Sequence, residues 1–278
     1  MIKADVLRIK NPHSRDAVIK FYQRGHKYEI TTDLKYKYTS VTTWCHSHFP
    51  KFDADAVIKN IMGSKTWGPG HKYWGQTAQQ IKDSWKQNGT SVADAGTNLH
   101  EQIEIFMNDG RFKFNYSHKE LYEIYMTDNK GKLDVEVKEW NYFMNFVRDH
   151  PELKPYRTEW MIFDEDLKLA GSVDMVYENS DGTLSIYDWK RSKEISKINT
   201  FNKFASNPLI CQFHDTNYWH YSLQLNTYRK ILENKYGKRV TKLCLVRLHP
   251  DAENYELLDV PLLDEELKTL FDERVRQL

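Results

Sequence analysis

The sequence predicts an α/β fold, and three observations carry that prediction. Residues 170–190 read as a hairpin: β-prone runs at 172–177 and 184–189 flank Asn179, Asp181 and Gly182, which supply turn chemistry. Two further β-prone runs occur at 156–163 and 241–248. Between and around them, residues 91–107 and 217–233 place apolar side chains at helical spacing.

Composition narrows the class. At 278 residues, with 40% hydrophobic and 28% charged residues, the chain suits one large globular domain, or a core with an accessory region. No apolar run approaches the ~20 residues that span a bilayer. The first ten residues lack the apolar centre of a signal peptide, so an intracellular protein is expected. Cys45, Cys211 and Cys244 are too few and too scattered for a disulfide framework, a zinc ribbon or an iron–sulfur cluster. The net charge of +1 hides an asymmetry. Residues 1–90 hold 15 basic and 7 acidic side chains, a balance of +8, and the remainder holds 25 and 32, a balance of −7. A basic front end on an acidic body reads as local contact with a polyanion, or as a lysine-rich solvated surface.

The elements follow in order. Residues 1–30 give no clear signal. The Thr- and Tyr-rich run at 36–44 reads either as a β-prone segment or as hydroxyls, Ser40 and Thr42 among them, that cap a helix and meet phosphate oxygens. Residues 53–61 form a helix capped by Asp53. The Gly- and Pro-broken stretch 62–75 interleaves Lys65, Trp67, Lys72 and Trp74. It reads as a stacking surface for a single strand or as a loop anchored by its tryptophans. Its Gly63-Ser64-Lys65-Thr66 lacks the glycines of a phosphate loop, which excludes an ATP-driven motor.

A helix is expected over 76–87, stopped at Asn88-Gly89, and a second from Ser91 to about Met107, with a core stripe of Leu99, Ile103 and Phe106. Gly96, His100 and Glu104 lie four apart beside that stripe, with Gly96 leaving room for close approach. Helices at 117–127 and 133–149 follow, the second with Val135, Trp140, Phe143 and Phe146 as its apolar positions. Pro151 and Pro155 close that region. Residues 198–216 are expected to be loop, and 264–276 a final amphipathic helix. On the helix at 217–233, Gln224 and Tyr228 share a face.

The chemistry gathers at the hairpin. Strand alternation points Asp188 and Lys190 to one face and Trp189 to the other, with Asp174 on the neighbouring strand. Converging carboxylates repel and lose hydration unless a cation joins them. Carboxylate oxygens suit Mg²⁺ or Mn²⁺, and a lysine beside such a metal can hold water or stabilise charge on a phosphate under attack. Arg191, Ser192 and Lys193, with Lys197, lead out of the hairpin toward a polyanionic substrate. Alone, Asp-x-Lys also fits a solvated hairpin end.

Taken in order, these pieces resemble the RecB-like branch of the PD-(D/E)XK nuclease superfamily. The matching motifs are Gly96, Thr97, His100 and Glu104; Gly171 and Asp174 with the upstream Glu159; Asp188, Trp189 and Lys190; and Gln224 with Tyr228. The resemblance covers roughly residues 91–232. The Ser40-Val41-Thr42 run is also similar to an N-terminal feature of mitochondrial genome maintenance exonucleases and their phage and viral relatives. The four-cysteine cluster of some CRISPR-associated relatives is absent, and His100 stands where lambda-type exonucleases carry an acid.

The resemblance implies a restriction-endonuclease-like core, a mixed β-sheet flanked by helices, spanning 91–278. A largely helical basic and aromatic region at 1–90 would cover the active site. It implies Asp174 and Asp188 as main metal ligands, His100 as a further ligand and Glu159 as an outer one, with Mg²⁺ or Mn²⁺ as cofactor. Lys190 would position water and stabilise the transition state, Gln224 would orient Lys190 or a phosphate, and Tyr228 would support its helix or contact DNA. Thr97, Ser40, Thr42, Lys65, Trp67, Lys72 and Trp74 complete the expected substrate contacts. The implied activity is a DNA exonuclease leaving 5′-phosphate and 3′-hydroxyl ends. A structure-specific endonuclease and a catalytically silent DNA-binding module are the alternatives. DNA is the implied partner, no membrane is involved, a recombination or replication protein could act alongside, and a phage or viral origin fits.

Overall fold

The computed structural model describes residues 5–109, 116–133 and 136–278. Val135, expected on a helix, and the first four residues lie outside the described residues. In chain order the elements are α1 (Val6–Lys10), a 3-10 turn (Ser14–Ala17), β1 (Ile19–Tyr22), β2 (Lys27–Ile30), β3 (Thr39–Ser40), α2 (Val41–His46), α3 (Ala54–Met62) and α4 (Ala78–Met107). There follow α5 (His118–Asp128), α6 (Lys138–Asp149), β4 (Lys154–Asp164), β5 (Leu169–Glu178), β6 (Leu184–Lys190), a 3-10 turn (Pro208–Ile210), α7 (Asn217–Tyr236), β7 (Val240–Arg247), β8 (Glu256–Asp259) and α8 (Asp264–Gln277). No helix among the described residues is long and apolar enough to cross a membrane.

The main sheet is mixed. β5 pairs antiparallel with β4 along one edge, while its other edge is shared by two strands. β3 runs parallel to it at Leu169 and Ala170, and β6 antiparallel from Met175 to Glu178. Gly171 to Asp174 therefore lie on an open stretch where the sheet forks. β6 continues parallel to β7, the crossover between them being α7, and β8 closes the edge.

Both faces of the sheet are covered, which is why its strands read as nearly continuous apolar runs. Ile186, Leu243 and Leu245 point into a core with Val41 and Trp44 of α2, Leu223 and Ile231 of α7 and Leu267 of α8. Tyr187, Trp189, Cys244 and Val246 point into a second core with Leu99 and Ile103 of α4, Leu121 of α5 and Phe143 and Phe146 of α6. The hairpin expected from alternation is present, with Trp189 on the face opposite Asp188. Twelve of the twenty residues of α7 are buried, so its polar positions are enclosed rather than solvated.

Several expectations need correction. Residues 78–107 form one helix where two were expected, over 76–87 and 91–107. An Asn-Gly pair costs about 1 kcal/mol in a helix, and burial at both ends, of Ile81 on one side and Leu99, Ile103 and Met107 on the other, outweighs it. Thr77 and Gln80 form its capping box. The expected boundary at residue 90 thus falls inside a helix of ~45 Å. The N-terminal region contains more helix than strand, but its β1–β2 hairpin had no assignment; Gly25, at φ +86, makes that turn. Pro155 lies inside β4, where the ladder shifts register between Pro155 and Arg157 to accommodate the missing N–H.

Burial pushes the His118 imidazole down to about 3, and its Nε2 meets the Tyr177 hydroxyl at 2.9 Å. Between that value and about 6.5 the unfolded chain binds the extra proton, so stability falls as pH drops through the window. From pH 7 to pH 5 this costs about 2 kcal/mol. His118→Gln, which cannot titrate, should lose less stability over that interval by about the same amount, read from urea midpoints at the two pH values.

Candidate active site

The fork in the sheet determines where the polar side chains meet. Asp174 sits on its open stretch, and its Oδ2 accepts from the Trp189 backbone N–H at 3.2 Å, just beyond the last β5–β6 pair. Across the other edge, Thr158 pairs with Met175 and Trp160 with Val173, which sets Glu159 opposite Asp174. Glu159 holds φ at +42, a strained value for a residue with a side chain in the middle of a strand. Its Oε2 accepts from the Ser172 hydroxyl at 2.9 Å.

His100 enters from α4. Its Nε2 lies 3.0 Å from the Trp189 carbonyl oxygen, which can only accept, so that nitrogen carries a proton. Nδ1 then faces the carboxylates, 3.6 Å from Asp174 Oδ2 and 3.8 Å from Glu159 Oε1. Burial alone would lower the imidazole, but Asp174 and Glu159 outweigh it and push it up to about 9. Without a cation between them, therefore, His100 is protonated and holds the two acids together.

Asp188 and Lys190 complete the cluster from β6. Lys190 Nζ is 2.6 Å from Asp188 Oδ2, and beyond this ion pair neither Asp188 oxygen has a hydrogen-bond partner among the described residues. Burial above all raises the proton affinity of Asp188 and Asp174, with Asp174 adding to it at Asp188 and Glu159 at Asp174. Burial also opposes the charge on Lys190, but Asp188 and Asp174 more than offset it and hold the ammonium charged far above its usual range. Lys190 Nζ also lies 4.4 Å above the Tyr221 ring.

Helix α7 closes this side. Gln224 donates to the Tyr228 hydroxyl at 3.2 Å, and Tyr228 packs against Gly171. A Cβ on Gly171 would come within 2.6 Å of the Tyr228 ring, so only glycine admits it. At 3% exposure Tyr228 has no surface to present to a strand; the expected contact with DNA gives way to packing. Gly96, by contrast, has nothing within 4 Å of a Cβ position among the described residues, so none of them uses the room it leaves.

The other expected substrate residues are dispersed. Ser40 caps α2 by accepting from the Thr43 N–H, and Thr42 is half-buried on the same turn. Thr97 is exposed and donates back to the Ala93 carbonyl. Arg191 is tied to Glu139 at 2.8 Å, Ser192 donates to the Glu194 carbonyl, and Lys193 is exposed beside Asp251. Trp67 and Trp74 contact each other at 5.5 Å, with Lys65 and Lys72 exposed around them. Their loop is tied to α4 through Tyr73, whose hydroxyl accepts from Trp85 Nε1. Trp85 precedes His100 by fifteen residues of one helix, a rise of ~22 Å. This part of the N-terminal region is therefore set apart from the fork along α4, while α2 is built into the core.

The model of the PD-(D/E)XK nuclease superfamily matches residues 72–278. The chain belongs to that superfamily. Among solved structures, a chain from Eubacterium rectale named "Putative exonuclease" is 15% identical, with 61% of this chain and 70% of that one covered and a TM-score of 0.32, too low to carry an argument. Curated proteins provide no match. Membership makes the chain a nuclease with DNA as its substrate, of a superfamily that uses divalent metal ions.

For a PD-(D/E)XK nuclease the donor set fits such an ion. His100 Nδ1, Glu159 and Asp174 offer ligand atoms within 4.8 Å of one another, and Asp188 adds buried oxygens with no hydrogen-bond partner. Glu159, expected as an outer ligand, is inside the closest group, whereas Asp188, expected as a main ligand, is outside it and paired with Lys190. Sequence reasoning missed Ser172, Tyr221 and Tyr28. Ser172 lies two residues before Asp174, and Tyr221 precedes Gln224 by three and Tyr228 by seven, so strand and helix spacing could have found both. Tyr28, buried near Glu159 and Asp174, has no local signal.

Gly171→Ala should lower stability by about 1–3 kcal/mol, because the Tyr228 ring must shift. Gly96→Ala should instead be neutral or stabilising by up to about 1 kcal/mol. Urea denaturation of the two variants beside the parent checks the contrast.

Proposed function

We propose that the chain is a metal-dependent DNA exonuclease that hydrolyses phosphodiester bonds from ends or single strands. The observation that supports the chemistry most directly is the meeting of His100 Nδ1 with the Glu159 and Asp174 carboxylates beside the Asp188–Lys190 pair. His100, Glu159 and Asp174 would hold Mg²⁺ or Mn²⁺, with Asp188 at its margin. When bound, such an ion polarises the phosphate and acidifies a water.

The side chains supply the rest. To hold such an ion His100 would give up its Nδ1 proton, while the Trp189 carbonyl keeps its ring oriented. Lys190, held charged by the acids, holds the attacking water by its oxygen and stabilises the negative charge that grows on the phosphoryl oxygens. Asp188 can accept the proton the water loses. The new bond is from water oxygen to phosphorus, and the bond broken is from phosphorus to O3′, which leaves 5′-phosphate and 3′-hydroxyl ends. Gln224 and Tyr228 position α7, and with it Tyr221, beside the Lys190 ammonium. A requirement for an end rests on the RecB-like motif set and on the basic charge of the first 90 residues. Imidazole is a softer ligand than carboxylate, so Mn²⁺ should support activity at least as well as Mg²⁺.

Digestion of end-labelled linear and covalently closed circular DNA, single- and double-stranded, tests this reading. Linear DNA alone should be degraded, and Lys190→Ala should lower the rate about 10³-fold or more while DNA binding persists. Cutting of circles would replace the exonuclease with an endonuclease. DNA binding without metal-dependent cleavage in the parent chain would leave a silent binding module.

A further inference from the structure

The loop from β6 to α7 leaves directly from Lys190, and it presents two apolar side chains to solvent. Phe201 is 84% exposed and Ile198 is 64% exposed. A single exposed apolar residue needs no explanation, but here the backbone is braced so as to hold them outward. Asn199 Nδ2 donates to the Asp215 carbonyl at 2.7 Å, and its Oδ1 accepts from the Phe201 N–H at 2.8 Å. The Ser196 hydroxyl donates to the Ile198 carbonyl at 2.9 Å, and Trp219 Nε1 to the Lys197 carbonyl at 3.0 Å. Such bonds stabilise the backbone conformation while leaving both apolar groups in water, the arrangement of a surface prepared for a ligand.

Its position and charge name the ligand. Asn217, four residues before the Tyr221 whose ring lies under the Lys190 ammonium and on the same face of α7, accepts from the Ser196 N–H at 3.2 Å and donates to the Glu194 carbonyl at 2.6 Å, so the loop is rooted one helical turn from the site. Lys197, immediately before Ile198, and Lys203, two residues after Phe201, are both exposed. An aromatic face flanked by cations beside a phosphodiester-cleaving site matches an unstacked nucleobase with its phosphates. We infer that Phe201 and Ile198 form a base-stacking subsite for single-stranded DNA next to the catalytic cluster. This inference rests on the nuclease reading, and its test is kept separate from cleavage.

The test compares an oligothymidylate with an abasic strand of equal length and equal phosphate number, both binding the full chain in EDTA and read by fluorescence anisotropy. The parent chain should bind the base-bearing strand about tenfold more tightly than the abasic one. Phe201→Ala should remove most of that difference while leaving abasic binding unchanged, and Phe201→Trp should keep it. Equal affinity of the parent chain for the two strands, or an undiminished difference in Phe201→Ala, would overturn the subsite, as would absence of binding to either strand. So would a dimer of the parent chain that Phe201→Ala dissociates in sedimentation, since the loop would then be a contact between copies. If the subsite fails while metal-dependent cleavage persists, the nuclease reading stands; if cleavage fails while base-dependent binding persists, the subsite stands without it.

Discussion

Two carboxylates buried side by side are the constraint on which this structure depends. Asp174 and Asp188 lie where burial penalises their charge, and Asp174 raises the proton affinity of Asp188 as Glu159 raises that of Asp174. The surrounding groups offset that penalty. Lys190 pairs with Asp188, His100 bridges Asp174 and Glu159, and the Trp189 N–H binds Asp174. Still, the Asp188 oxygens lack hydrogen-bond partners, and a strained backbone brings Glu159 in as a third acid. A protein selected only for stability would not gather acids in this way; a site that admits a cation would.

The fold supplies the geometry by parting two strands. β5 and β6 stay hydrogen-bonded as far as Met175 and Tyr187, and the next residues on each, Asp174 and Asp188, are the acids. Trp189 connects the two sides of the sheet. Its indole fills the core beneath α6, while its backbone binds Asp174 through N–H and His100 through the carbonyl. Packing in one core thereby sets the position of polar groups on the other face. Gly171 plays a parallel part, since the space left by its missing side chain seats Tyr228 and brings α7 down over the fork.

Much of this was legible because it is local. Strand alternation separated Asp188 and Lys190 from Trp189, the cap at Asp53 opened its helix, and the spacing of Gln224 and Tyr228 put them on one face. The failures were also physical. The break at Asn88-Gly89 was overridden by burial at both ends of α4, a long-range effect that exceeds a local propensity of about 1 kcal/mol. The β1–β2 hairpin was missed because its apolar residues pack against Phe163 and Ala170, far along the chain.

The sequence by itself determined the α/β class and the order of the main elements, because short-range periodicity records them, and its resemblance to the RecB-like motif set nominated His100, Glu159, Asp174, Asp188 and Lys190 together. Only the tertiary structure decided which of those acids stand closest to His100, why Tyr228 is packing rather than surface, and how far the tryptophan loop lies from the fork. Those answers depend on strand register, on the forking of the sheet and on a helix that runs unbroken through a predicted stop. Each is set by contacts between residues distant in sequence, whose energies no local pattern contains.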